Sequence, residues 1–403
     1  MNALKEIVGK PLPIGYYFHP KFQQFREQLF TEGANYVGHE LMVPESGDYR
    51  VLETMNDQYI LLRTESGECV MISNICRHQQ ARLIDPTNRP GRDSREGNIF
   101  ARNRSGLIVC PVHAWSYKQD GTLNRAPHFE EQPKACLPRI TLQSWNGMLF
   151  HTKRDIASDM AQFGSSKKFD PLLFDMKQYV FMGTDAPMEY AFSWEQFITV
   201  YFDLYHVAPY HPATFAQIVD CKNLAWEFGE RYSVQIAGWK ERTPSVSPSD
   251  GYGKVWVAID RYYREHKPPH GALWVTMYPG VMIEWYPHVL VVSTLRPHGP
   301  TACVNHVEYY VHKDWHHPDH VNRAQDIFED AQRAYNLSAK EDGEICTSMQ
   351  DSYQNMWDSG EHFVGPRHPH LEEGIDHFFR YVHEEWRKKN KQDAGVTDIK
   401  KYD

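Results

Sequence analysis

Cys76-Arg77-His78 and, further along, Cys110-Pro111-Val112-His113 are the two stretches that decide how this chain is read. Each offers one thiolate and one imidazole on a short loop. A zinc site also accepts two Cys and two His, but it usually keeps the cysteines in one knuckle and the histidines in the other. Divided one and one, these four side chains suit two metal ions with unlike ligands. The surroundings read as a hairpin: Cys110 follows the apolar run Leu107-Ile108-Val109, and His113 leads into Trp115-Ser116-Tyr117 and a turn at Asp120-Gly121. Such a hairpin presents ligand loops at its tip.

Two thiolates on one iron and two imidazoles on the other make the ligand set of a Rieske [2Fe–2S] centre. Neutral imidazoles replace anionic ligands, which raises the potential and suits the centre to one-electron relay. Respiratory-type Rieske loops add a cysteine to each half and join the pair as a disulfide. Here Gln79 and Gln80 follow His78, and Trp115 lies beyond His113. That brace is missing, so the expectation is the lower-potential, oxygenase type.

A second motif follows: Asp203-Leu204-Tyr205-His206-Val207-Ala208-Pro209-Tyr210-His211. With both motifs in this order, the chain resembles the terminal oxygenase (α) subunits of Rieske non-haem iron oxygenases, from about Tyr36 to Trp386. The resemblance implies a mononuclear Fe(II) on His206, His211 and a later carboxylate. Two imidazoles and one carboxylate on one face of Fe(II) leave the opposite positions open for dioxygen and substrate. The run Lys340-Glu341-Asp342-Gly343-Glu344-Ile345-Cys346, with Gln350 after it, resembles the betaine- and carnitine-type members and selects Asp342. Glu341, Glu344 and Asp351 compete, Asp351 being the fallback.

By the same resemblance Asp203 bridges subunits, accepting from His206 of its own chain and from His113 of a neighbour, a short hydrogen-bonded route for the electron. The resemblance further implies a homotrimer or a multiple of it, and a reductase and/or ferredoxin as electron donor. The implied reaction uses dioxygen to hydroxylate, dihydroxylate or demethylate a small organic substrate, an aromatic acid or a quaternary ammonium. The alternative is a non-catalytic Rieske electron carrier with a ligand-binding C-terminal domain.

Locally, Ser193 to Tyr205 reads as a helix, with Trp194, Phe197, Ile198, Tyr201 and Tyr205 at three- and four-residue spacings. Asp203 and His206 then share a face one turn apart. His211 lies five residues after His206 with Pro209 between them, and the helix is expected to kink or loosen at that proline.

The 403 residues, 41% of them hydrophobic, suffice for two domains with their own cores. A net charge of −9, from 43 basic and 52 acidic residues, argues against nucleic acid as partner. No apolar run approaches a membrane span, and Met1-Asn2-Ala3-Leu4-Lys5 opens no signal-peptide pattern. Of seven cysteines two go to the cluster; Cys69, Cys136, Cys221, Cys303 and Cys346 read as reduced, buried thiols of a cytoplasmic protein. No nicotinamide-binding fingerprint is evident, in keeping with a separate reductase.

The expected fold is α+β. It has a helical lead-in over 1–35, an antiparallel β Rieske domain over 36–155, a catalytic domain over 156–390 and a polar tail over 391–403. The resemblance gives the catalytic domain a helix-grip form, one curved antiparallel sheet with flanking helices. Strands are expected at Tyr59–Leu62, Cys69–Ile72, Leu107–Val109 and Met148–Phe150, then as long segments Leu224–Lys240, Gly271–Tyr286, His288–Arg296 and Thr301–Lys313. Lys153–Asp185 reads as a polar connector; Asp319–Asn336, Ala339–Met356 and Leu371–Lys389 read as helices.

The thirty-one residues between His78 and Cys110 exceed the family's usual spacing. Arg82, Arg89, Arg92, Arg95, Arg102 and Arg104 crowd this stretch, which suggests a docking loop for an acidic electron donor, an arm that reaches a neighbouring subunit, or a solvated variable loop. Tyr205, Trp239, Tyr278, Trp285 and Tyr286 are candidate pocket walls; aromatic faces suit a flat ring or a quaternary ammonium. Arg242–Lys254, rich in Pro, Ser and Gly, reads as a loop at the entrance.

Overall fold

A computed structural model describes residues 18, 20–85, 95–211, 219–239, 272–286, 288–316, 321–360 and 365–392. These form two compact units: 35–157, and the residues up to 34 together with those from 158 onward.

In the unit 35–157, short strands alternate apolar residues into one core. A five-stranded antiparallel sheet runs in the order β5 (Glu96–Asn98), β2 (Asp48–Val51), β3 (Tyr59–Arg63), β4 (Cys69–Ser73), β9 (Arg139–Ile140). A second sheet joins β6 (Ile108–Val109), β7 (Ser116–Tyr117) and β8 (Leu123–Arg125). Ile60, Leu62, Val70 and Ile72 share one buried cluster with Cys76, Cys110, Trp115 and Tyr117. The thiols therefore sit in the hydrophobic core. The long Arg-rich stretch is partly built in: β5 pairs with β2, Arg95 pairs with Asp57 and Glu53, and Arg82 lies 3.5 Å from Asp57. Arg89 and Arg92 lie outside the described residues, as does Arg242–Lys254.

The third sheet places β11 (Met148–Phe150) between β1 (Tyr36–His39) and β10 (Gln143–Trp145). Asn146 and Gly147 make the two-residue turn, both at positive φ (51° and 82°). His39 packs on that turn. Its Nε2 donates to Asn146 O at 3.0 Å and its Nδ1 accepts Leu41 N–H at 3.0 Å, which fixes one neutral tautomer. Burial lowers its pKa to about 4.

In the other unit, seven strands order as β12 (Tyr179–Thr184), β19 (Cys303–His312), β18 (Val289–Pro297), β17 (Val281–Trp285), β16 (Ala272–Met277), β15 (Tyr232–Trp239), β14 (Val219–Phe228), all neighbours antiparallel, with β13 (Met188–Tyr190) also on β19. Two of the expected long β segments are hairpins. Leu224–Lys240 turns at Gly229-Glu230-Arg231, and Gly271–Tyr286 turns at Tyr278-Pro279-Gly280; in both places glycine or proline breaks the ladder. The expected polar connector ends in a strand, β12, whose Tyr179-Val180-Phe181 run pairs along β19 before the register shifts at Met182.

Helices pack on this sheet: α1 (Pro20–Glu32), α2 (Trp194–Phe202), α3 (Val207–Tyr210), α4 (Val321–Ser359) and α5 (Glu373–Gln392). The two helices expected over Asp319–Asn336 and Ala339–Met356 are one, the 39-residue α4. Leu337-Ser338 is no break, because neither residue obstructs the ladder and Ser338 is buried. Phe22, Phe25, Leu29 and Phe30 of α1 join Phe378, Phe379, Val382 and Trp386 of α5 in the main core. Arg26 of α1 meets Glu195 of α2 at 2.9 Å, both side chains at most 2% exposed, and donates to Gly299 O.

Two measurements test these contacts. A buried pair stripped of one partner leaves an uncompensated charge, so Arg26→Ala is expected to cost about 3–5 kcal/mol, read in denaturant unfolding, and joint Arg26→Met/Glu195→Leu to recover most of it. Because His39 stays neutral when folded, its contribution is fully present above pH 6.5 and is lost as pH falls toward about 4. The wild type should lose on the order of 3 kcal/mol through this group across that window, and His39→Gln should flatten that part of the stability–pH curve.

Candidate functional site

The two Cys/His loops are built alike. In the first, Cys76 N–H donates to Ala81 O at 2.9 Å and Gln80 N–H to Cys76 O at 3.1 Å, with Gln80 at φ +55°. In the second, Cys110 N–H donates to Trp115 O at 2.8 Å and Ala114 N–H to Cys110 O at 3.1 Å, with Ala114 also at φ +55°. A cysteine opens each loop and a left-handed residue four places on closes it; His78 comes second after its cysteine and His113 third.

Both thiols are buried, while His113 is exposed at the rim. The His78 and His113 rings meet edge to face at 4.6 Å, and His78 stacks on Trp115. Nδ1 of His78 is buried without a hydrogen-bond partner among the described residues. A metal ligand would explain that orphan atom. The Tyr117 hydroxyl accepts Arg77 N–H at 3.1 Å and stands 3.3 Å from Cys76 Sγ, which leaves its own proton for the sulfur. Burial pushes the Cys110 thiol up, and the Val112 and His113 N–H groups on its sulfur pull the other way, toward thiolate. The donor set fits a [2Fe–2S] cluster.

In the other unit, α2 ends at Phe202 and Asp203 stands outside it with extended backbone. Asp203 Oδ1 accepts the N–H groups of Tyr205 (2.7 Å) and His206 (3.2 Å), closing the break, while its Oδ2 lies 3.3 Å from His206 Nδ1. The helix is thus interrupted before His206 and not at Pro209 as expected. Pro209 sits in the first turn of α3, where its missing N–H would have no intrahelical partner. Tyr210 and His211 N–H groups bond back to His206 and Val207.

This break turns the two imidazoles toward each other. His206 Nε2 and His211 Nε2 are 3.1 Å apart, and Asp342 Oδ1, from the middle of α4, lies 3.3 and 2.8 Å from them. The triangle matches one octahedral face with bonds of about 2.1 Å, whose edges are about 3 Å. Burial opposes charge on His206, yet Asp203 and Asp342 outweigh it and hold its pKa up at about 9; the Asp342 carboxyl, despite burial, is held below its usual value by the two histidines. The site calls for a cation, and the residues fit iron. Glu341, expected as a rival ligand, stands behind the triangle: its Oε2 is 2.6 Å from His211 Nδ1. Glu344 and Asp351 are exposed on the same helix. Gln350 Oε1 accepts Ser193 N–H at 2.9 Å, tying α4 to the start of α2.

Beside the triangle lies a cleft lined by His206, His211, Asp342, Gln235, Trp274 and Glu284 among others. A second space shares Val200, Tyr201, Glu284 and Asp342 with it and adds Phe192, Phe197 and Tyr335. No lysine or arginine lines either among the described residues.

Residues 34–145 match the Rieske [2Fe-2S] domain, and residues 179–387 the ring hydroxylating alpha subunit (catalytic domain). The chain belongs to the Rieske ring-hydroxylating oxygenase α-subunit family. It is 40% identical over 374 residues to a putrescine 2-hydroxylase of Ralstonia nicotianae, covering 92% of this chain and 94% of that one. To a choline monooxygenase of Beta vulgaris it is 23% identical, covering 92% and 76%. A solved quaternary ammonium Rieske monooxygenase has the same fold, with a TM-score of 0.69 at 17% identity, covering 95% of this chain and 97% of that one.

As a member of this family the chain is a terminal oxygenase: it carries a Rieske [2Fe–2S] cluster and a mononuclear iron, draws on an electron donor, and uses dioxygen on a small molecule. The bare electron-carrier alternative is set aside. No helix among the described residues is long and apolar enough to cross a membrane.

Of the aromatic residues expected to wall a pocket, Tyr205 is 62% exposed and tilts against His368, and Tyr278 is buried among Phe202, His377, Phe378 and Tyr381. The Trp239 side chain lies outside the described residues. Tyr286 reaches the cleft's edge through Glu284, its hydroxyl donating to Oε2 at 3.2 Å. Glu284 itself went unnoticed in the sequence, although a lone acid in Val281-Met282-Ile283-Glu284-Trp285 was a signal. Burial raises its pKa to about 7.

Carboxylates behind metal-binding imidazoles fix ring orientation and raise basicity. Glu341→Gln is therefore expected to weaken iron retention by about 10–100-fold in chelator competition, with the cluster's absorption unchanged. Wild-type retention would assign Glu341 to the helix surface.

Proposed function

We propose that this chain hydroxylates an aliphatic amine at carbon, with iron held by His206, His211 and Asp342 and the [2Fe–2S] cluster by Cys76, His78, Cys110 and His113. The observation that carries the reading is the Nε2–Nε2–Oδ1 triangle opening onto a cleft that adds the Glu284 carboxylate and, among the described residues, no lysine or arginine. Away from the triangle an aromatic acid would find no basic side chain there; an ammonium finds a carboxylate and aromatic faces. The name of the 40%-identical relative points the same way.

When bound, the iron supplies dioxygen activation and the cluster supplies single electrons. The protein's own part is positional. Asp203 holds the chain reversal that aims His206, Glu341 fixes His211, and α4 brings Asp342 to the third corner. The apolar side of the cleft excludes water from the reacting carbon. Asp203, with Oδ2 beside His206 and its side chain partly exposed, suits the role of inter-subunit bridge to His113 of a neighbouring copy, in a homotrimer. A ferredoxin or reductase as donor and a cytoplasmic setting complete the reading; no disulfide joins the six cysteines whose side chains are described, of which Cys136 is exposed and Cys69 half-buried, not buried as expected.

The test supplies the holoenzyme with a surrogate reductase and 1,4-diaminobutane. Expected are substrate-dependent oxygen uptake and a product heavier by one oxygen atom. Asp342→Ala should fall from about three irons per chain to about two and lose turnover while keeping the reduced-cluster EPR signal. Full iron content in that variant would remove the ligand assignment.

A further inference from the structure

Glu284 is a buried acid with no assigned task. It lies on β17, in the middle of the sheet, 7% exposed. The strand register sets Gln235, Trp274 and Glu284 directly opposite one another on β15, β16 and β17, so the three share one face, and all three line the cleft beside the triangle. Trp274 Nε1 donates to the Tyr286 hydroxyl at 3.0 Å, and that hydroxyl donates on to Glu284 Oε2 at 3.2 Å. The hydroxyl proton is thereby committed to the carboxylate. Among the described residues this is the only hydrogen-bond donor Glu284 meets, and no Lys, Arg or His forms an ion pair with it.

A carboxylate carries about four lone-pair acceptor positions. Burying one with a single donor is unfavourable unless a proton or a further donor completes it. Glu284 borders both spaces, the polar one at His206, His211 and Asp342 and the aromatic one at Phe192, Phe197 and Tyr335. A group arriving there meets the Glu284 carboxyl between the apolar side chains of Val200 and Trp274 and the polar ones of Gln235 and Asp342.

We propose that Glu284 is the anionic subsite that receives the protonated amino group of the substrate and so selects amines with N–H over quaternary ammonium. The N–H donors of a primary or secondary ammonium fill the empty acceptor positions of Glu284. The alkyl chain then runs along the apolar wall, and a carbon reaches the triangle. A trimethylammonium offers only C–H to the carboxylate and leaves it unsatisfied. The proposal rests on the amine reading of the site given above and assigns to one residue the choice among amines.

Calorimetry on anaerobic, iron- and cluster-replete protein tests it, with n-butylamine and n-butyltrimethylammonium as probes, on wild type, Glu284→Gln and Glu284→Asp. Iron content and cluster EPR report that each variant is folded. Loss of a charge-assisted contact in a dry cleft predicts about 30-fold or greater weakening of butylamine for Glu284→Gln. The weak binding of butyltrimethylammonium should change by less than about threefold, and Glu284→Asp should restore part of the butylamine affinity. Equal butylamine affinity in wild type and Glu284→Gln would overturn the subsite while leaving the amine reading intact. A wild type that binds neither probe would overturn the amine reading and the subsite with it.

Discussion

Three lone-pair atoms, two imidazole nitrogens and a carboxylate oxygen, are held within 3.3 Å of one another, and the C-terminal unit is organised around that constraint. Without a proton or a cation among them they would push apart. The chain reaches the arrangement from two directions: an interrupted helix delivers His206 and His211, and an uninterrupted one delivers Asp342. Each delivery has its own fastening. The Gln350–Ser193 hydrogen bond locks α4 against the start of α2, and the buried Arg26–Glu195 pair locks α1 against its first turn. Glu341 and Asp342, consecutive on α4, grip opposite nitrogens of the same His211 ring.

The cluster loops solve a different problem with one backbone used twice. Each cysteine starts a turn closed by a residue at φ +55°, Gln80 or Ala114, and bonds across to the residue after it. The thiols enter the core among Ile60, Leu62, Val70 and Ile72, where a low dielectric and N–H donors set the cluster's electronics. The imidazole of His113 stays at the surface next to exposed Val112, and half-exposed Phe129 flanks His78 and Trp115. Charge is thereby insulated on one side and reachable on the other.

The family was legible in the sequence because two ligand-bearing motifs stand in one order along the chain. His206, His211 and Asp342, expected from pattern, come together in the structure, as do the rings of His78 and His113. The geometry between them was less legible. Pro209 drew attention as the obvious helix breaker, but a proline in a first turn breaks nothing, and the interruption is made by the Asp203 side chain capturing two amides. The long β segments resolved into hairpins at Gly229 and at Pro279-Gly280, signals outweighed by the apolar residues on either side. The division of α4 at Leu337-Ser338 was a propensity argument that tertiary packing overrode. Glu284 stayed hidden because a single acid in a strand carries no periodicity, and only the cross-strand register reveals its company.

Asp203 does two things with one carboxyl group, closing the reversal with one oxygen and facing the His206 ring with the other. Scaffold and polarity are fused there. Alanine would open the loop and swing the imidazole before any question of charge arose, and glutamate would keep the charge but overshoot the two amides. Asparagine alone retains the acceptor while emptying the charge. A dead alanine mutant at this position would therefore report broken scaffolding, and says nothing about how electrons travel.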